Sequence, residues 1–108
     1  MTVSSLLENG FTAVALPEGE REIKGVYIGD LLSWVMSSAQ ADNAWVTIMS
    51  NINVVAVASL VDVSCIILAE GVALEDGVAA QAENRGINIL STQKTAYETA
   101  KALSELGL

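Results

Sequence analysis

The sequence is conspicuous for what it lacks. It has no histidine, one cysteine, one proline, five basic residues and only 5% aromatics among its 108 residues. Without histidine, no imidazole can act as a general base or bind a metal. With Cys65 alone there is no intrachain disulfide and no zinc motif. Cys65 lies in the apolar run CIILA and reads as a small buried hydrophobe rather than a reactive thiol. No Gly-Lys pair exists, which excludes a phosphate-binding P-loop, and neither a G-x-G-x-x-G nor a G-x-S-x-G motif is present. The five basic residues, Arg21, Lys24, Arg85, Lys94 and Lys101, form no cluster. With 13 acids the net charge is −8, a field that disfavours nucleic acid and anionic membrane surfaces.

Long hydrophobic runs are missing too. The most apolar region, residues 44–69, is interrupted by Ser50, Asn51, Asn53 and Asp62, and crossing a bilayer takes about 20 apolar residues. The first ten residues, MTVSSLLENG, carry neither the cationic nor the apolar part of a secretion signal. The expectation is a soluble, cytoplasmic protein with no membrane or nucleic-acid partner and no cofactor, folded as one domain over residues 1–108.

What is present is aliphatic: 52% of the residues are hydrophobic, mostly Val, Ala, Leu and Ile. Such a composition suits a sheet covered on both faces. Along the chain, VSSLLENG reads as a short helix ended by Gly10, FTAVAL as a strand, PEGE as a turn and EIKGVYIG as a strand. Asp30 is placed to cap a helix LLSWVMSSA with a stripe of Leu31, Leu32, Val35, Met36 and Ala39. AWVTIM and SCIILAE are strands. LEDGVAAQAENRG is a helix with acids in its first turn, INIL a strand, and STQKTAYETAKALSEL an amphipathic helix with Tyr97, Ala100 and Leu103 on one face.

NVVAVASLV is ambiguous, because valine favours strands and an all-apolar run has no telling period. The alternation of its neighbours decides. Strands alternating with helices imply parallel pairing, and a parallel pair needs a crossover, usually helical. NVVAVASLV is therefore expected to be a helix to about Val61, with Asn51 or Asn53 as its cap. The fold expected is α/β, a three-layer α/β/α sandwich around a mostly parallel sheet of about five strands.

Ligands of such folds bind beyond the carboxyl ends of the strands. Those ends should carry Asp30, Ser50, Asn51, Asn53, Glu70, Gly71, Ser91 and Thr92, the candidate rim for a ligand or partner. The same residue types are what helix caps require, so capping and binding both account for them. No residue is singled out as catalytic or metal-ligating.

EREIKGVYIGDLLSWVMSSA, AWVTIMSNINVVAVASLVDVSCIILAEG and NILSTQKTAYETAKAL together resemble the DRTGG domain, over about residues 20–106. The name-giving motif appears as EREIKGV: Arg21 and Gly25 match, Glu20 replaces the aspartate, and Val26 stands where a second glycine is usual. DRTGG domains occur inside long phosphate acetyltransferases and beside CBS domains, which bind adenosine nucleotides; the amino-terminal domain of HPr kinase/phosphorylase is similar in fold. The resemblance implies a three-layer domain with a regulatory or oligomerising role; it does not imply kinase activity, because the kinase P-loop lies in another domain. Three functions remain open: a non-catalytic regulatory module, sensing a small metabolite or nucleotide and acting through oligomerisation or a partner enzyme; a structural or interaction domain that only self-associates or docks to a partner; and, ranked last, an enzyme using its scattered carboxylates. A homodimer is expected in either case, because a small chain of mean hydropathy +0.47 leaves apolar surface for a partner.

Overall fold

A computed structural model describes all 108 residues. Its five strands are β1 (Thr12–Ala15), β2 (Val26–Ile28), β3 (Ala44–Thr47), β4 (Cys65–Leu68) and β5 (Ile89–Ser91). They form one sheet in the order β1-β5-β4-β3-β2. Strands β2 to β5 are parallel, and β1 runs antiparallel against β5. The helices are α1 (Leu32–Ser38), α2 (Asn53–Val61), α3 (Val78–Asn84) and α4 (Ala96–Glu105), preceded by a 3-10 helix over Ser4–Asn9. The expected three-layer sandwich is thus the one observed.

Both faces of the sheet are buried, and side-chain alternation divides the core. Trp45, Ile66, Leu68 and Ile89 point to the layer of α1, α2 and α3, meeting Val35, Val54, Val55, Ala58 and Ala82. Ala44, Val46, Cys65, Ile67 and Leu90 point to the other side, against Val3, Leu6, Phe11 and Leu103 of the 3-10 helix, β1 approach and α4.

Tertiary burial overrides propensity in α2. Valine costs a helix at most about 0.7 kcal/mol relative to alanine. Burying a valine side chain returns about 1.5–3 kcal/mol, and Val54, Val55 and Val57 are all buried. The helix runs to Val61, as expected, and ends where Asp62 turns left-handed, φ 68°.

Several boundaries differ from the sequence reading. EIKGVYIG is a strand only at Val26–Ile28, because Gly25 takes φ 87° and breaks the extension. Gly77, φ 83°, likewise delays α3 to Val78, so Glu75 and Asp76 precede the helix instead of filling its first turn. In α1 only Val35 is buried, while Leu31 and Met36 are exposed. Tyr97 points outward, 75% exposed, and α4 packs through Thr99 and Leu103.

Residues 16–25 travel from one edge of the sheet to the other without regular structure, passing the amino ends of β5, β4 and β3. Each of those strands is preceded by a buried polar residue, Asn88, Ser64 and Asn43. Asn88 accepts from Glu18 N at 2.9 Å and donates to Glu18 O at 2.8 Å and Ser64 O at 2.9 Å. The Ser64 hydroxyl donates to Glu22 O. Asn43 Nδ2 donates to Lys24 O at 2.8 Å. Arg21 closes the latch: its Nη2 lies 3.1 Å from Asp42 Oδ1, 2.9 Å from Asp62 Oδ1 and 2.6 Å from Asp62 O. Burial lowers the Arg21 pKa, but the hydrogen bonds and charges of the two aspartates outweigh it and the net direction is up.

Asn88→Ala should leave Glu18 N and Ser64 O without their partners. Glu18 is at the surface and can turn to water, whereas an unpaired buried group such as Ser64 O costs about 1–3 kcal/mol, so urea denaturation is expected to show a loss of about 1–3 kcal/mol.

Burial pushes the Cys65 thiol up to about 12, partly offset by the charge of Arg21. In the unfolded chain the thiol ionises near 9.0, so only the unfolded state gains from ionisation between those values. This contribution to stability is full below about pH 9 and is lost as pH rises towards 12. Urea midpoints measured from pH 8 to 10.5 should therefore fall less steeply for Cys65→Ala than for the unaltered chain. In the native state a thiol reagent should leave Cys65 unmodified.

Candidate functional site

The eight rim residues all lie at or just beyond the carboxyl ends of the parallel strands, but the structure gives them separate tasks. Asp30 does not cap α1. The helix is entered through Leu31, φ −83° and ψ 106°, with no side-chain cap. Asp30 instead turns to the neighbouring strand end, where its Oδ1 accepts from Thr47 Oγ1 at 2.8 Å and Ile48 N at 3.0 Å. Thr47 Oγ1 in turn accepts from Met49 N at 3.2 Å. The buried Thr47 organises this corner, and its place at a strand end was the sequence signal for it.

The structure decides between Asn51 and Asn53 as the cap. Ile52 already has helical angles, φ −59° and ψ −25°. The functional cap of α2 is thus Asn51, whose Oδ1 accepts from Asn53 N at 2.9 Å. The Asn53 side chain makes no hydrogen bond and is exposed. Ser50 is tied through its carbonyl, which accepts from Glu75 N at 3.1 Å.

On the β4–β5 side, Glu70 and Gly71 are both left-handed, φ 63° and 69°. Their amides donate to Lys94 O at 2.8 Å and Thr92 O at 2.9 Å. A Cβ on Gly71 would come within 2.5 Å of Gln93 Oε1, so the left-handed φ favours glycine there and a larger residue would have to displace the Gln93 side chain. Thr92 is buried, and its Oγ1 accepts from Lys94 N at 3.2 Å. Ser91 is the last residue of β5 and borders a hollow of about 270 Å³ with Val14, Gly71, Val72, Leu74 and Gln93. That is just below the range of small-molecule sites, about 300–1,000 Å³. A second hollow, about 370 Å³, is lined only by α4 and its approach, from Lys94 to Glu105. Its residues recur every three or four positions, so it is a groove on the outside of one helix.

The electrostatics of this edge oppose an anion. Asp30, Glu70, Glu75 and Asp76 stand there against Lys94. The start of α2 is occupied by Asn51. The start of α4 is closed by a capping box, with Glu98 N donating to Thr95 Oγ1 at 3.1 Å and Thr95 N donating to Glu98 Oε1 at 3.0 Å. The backbone and side-chain hydrogen bonds from Thr95 hold the Glu98 carboxyl below its usual value. No three His, Cys, Asp or Glu side chains converge to hold a metal ion. No helix is long and apolar enough to cross a membrane.

The family model of the DRTGG domain matches residues 13–106. The chain belongs to the DRTGG domain family. Among curated proteins none matches significantly. One solved structure of similar fold is that of the CBS and DRTGG domains of the regulatory region of Clostridium perfringens pyrophosphatase, complexed with its activator diadenosine tetraphosphate. The TM-score is 0.70 at 12% identity, covering 92% of this chain and 44% of that one. This DRTGG chain therefore spans less than half of that neighbour, and the likeness is one of fold. Within the fold, the motif residues Arg21 and Gly25 sit at the amino edge of the sheet, opposite the candidate rim.

Because Asn51 caps and Asn53 does not, their alanine variants should separate. Asn51→Ala is expected to cost about 1 kcal/mol in urea denaturation. Asn53→Ala should stay within about 0.5 kcal/mol of the unaltered chain, as exposed substitutions do.

Proposed function

We propose that this DRTGG domain is a non-catalytic regulatory module that acts by associating with another protein chain. The observation that carries the reading is the state of the carboxyl edge, where this fold class places its ligands. Asp30, Asn51 and Thr92 are spent on Thr47, Ile48, Asn53 and Lys94, the two longer helix starts are self-capped, and the free charges are mostly acidic. That edge offers little to a phosphate and no nucleophile–base pair. By contrast, apolar side chains stand exposed on the helices beside it. Membership of the DRTGG family fits a regulatory role, as does a fold neighbour that is itself part of a regulatory region.

A second reading, sensing of a small metabolite or nucleotide, is favoured by one feature: the hollow beside Gly71 and Ser91. Such a ligand would be recognised mainly by apolar contact and backbone groups.

Three assays on the pure protein test the assignment together. Labelled ATP with magnesium and HPr should give no phosphoprotein. Melting in ATP, AMP or diadenosine tetraphosphate should show no saturable rise in Tm, since only binding to the folded state raises it. Light scattering should give a mass above the 11.3 kDa of one chain. Stoichiometric phosphate transfer would overturn the non-catalytic reading, and a saturable nucleotide shift would replace association by ligand sensing.

A further inference from the structure

We infer that the outer face of α1 and α2 is the surface on which a second copy of this chain docks, face to face about a twofold axis. The inference rests on the association reading and gives it a place and a partner. Outer helices of a globular domain normally carry charge on the solvent side. These do not. Residues 31–41 and 48–61 contain no Asp, Glu, Lys or Arg, yet 20 of their side chains are not buried. Eleven of them lie on α1 and α2 themselves, the centre of a patch smaller than the about 20–30 residues a standard interface takes from each partner. The most prominent are Leu60, 72% exposed, Trp34, 66%, and Leu31, 62%. Ser37, Ala56 and Ser59 lie exposed among them, small enough for another helix to approach closely.

Charge selects the occupant. Two copies at −8 each repel wherever their acidic surfaces meet, and this face brings them together without opposing carboxylates. A basic partner would be drawn to the acid-bearing faces and would gain nothing here. An uncharged apolar patch matches another of its kind, and isologous pairing of one patch with itself is the commonest closed assembly. The sheet edges do not compete for this role. β1 carries a register irregularity between Ala13 and Ala15, and β2 is only three residues long, both features that blunt edge pairing.

Sedimentation velocity from 5 to 100 μM tests the inference on the whole chain. The unaltered protein should be a dimer that dissociates on dilution, with its tryptophan emission moving to the red as Trp34 is exposed; Trp45 is buried within each copy. Trp34→Glu and Leu60→Glu change exposed side chains, so both should keep the circular dichroism of the parent while weakening the dimer at least 100-fold. Tyr97→Glu, on the opposite layer, should leave it intact. A dimer that survives both glutamate variants would overturn this placement while leaving association in force. A monomer at 100 μM would overturn the second copy as partner and leave docking onto a different chain.

Discussion

The whole arrangement depends on a stretch of chain that has no regular structure. To put the antiparallel strand β1 at one edge and the parallel strand β2 at the other, residues 16–25 must run past the amino ends of the strands between them. Some of their backbone groups pair with residues 1–4 around the Thr2–Glu22 bridge; those facing the strand ends need other partners, since unpaired buried amides and carbonyls are costly. Asn43, Ser64 and Asn88 supply the partners, each from the position just before a central strand. The same three residues start β3, β4 and β5, so strand register and the crossing segment are fixed by one set of hydrogen bonds. Arg21 extends this latch to Asp42 and Asp62, and Asp62 is where α2 ends.

This places the family's motif in a physical setting. Arg21 and Gly25 work on the amino edge: the arginine gathers two aspartates that both adopt left-handed backbone, and the glycine adopts φ 87° where a Cβ would lie 3.1 Å from Asn43 Nδ2. Neither approaches the carboxyl edge. With the motif holding the fold and the starts of α2 and α4 capped from within, the uncharged outer face of α1 and α2 is a surface without an internal task.

Much of the fold was legible in the sequence because alternation is a global constraint. A strand on either side of NVVAVASLV and a parallel sheet require a crossover, and that requirement outweighs valine's local preference. The left-handed glycines at Gly25 and Gly77 were harder to anticipate, since a glycine inside an apolar or acidic run is as compatible with an unbroken element as with a break. Tyr97 misled for a related reason: with Ala100 and Leu103 it makes an i, i+3, i+6 set, but the helix turns its Thr99 and Leu103 face inward and leaves Tyr97 outside. At the candidate rim, an asparagine cap for α2 followed from residue type, but whether Asn51 or Asn53 supplied it did not. The role of Asp30 did not, because its partners Thr47 and Ile48 come from another strand, and no local pattern encodes which of two nearby backbone ends an aspartate serves.

The most direct test of a motif that serves the fold rather than a binding site is to remove Arg21 and measure stability and self-association on the same samples. For Arg21→Ala, losing partly exposed bonds to Asp42 and Asp62 should lower the unfolding free energy by about 1–2 kcal/mol. Under native conditions the dimer dissociation constant should stay within about twofold of the unaltered protein. An Arg21→Ala chain that keeps its full stability but no longer associates would contradict the assignment and make the motif part of the interaction surface.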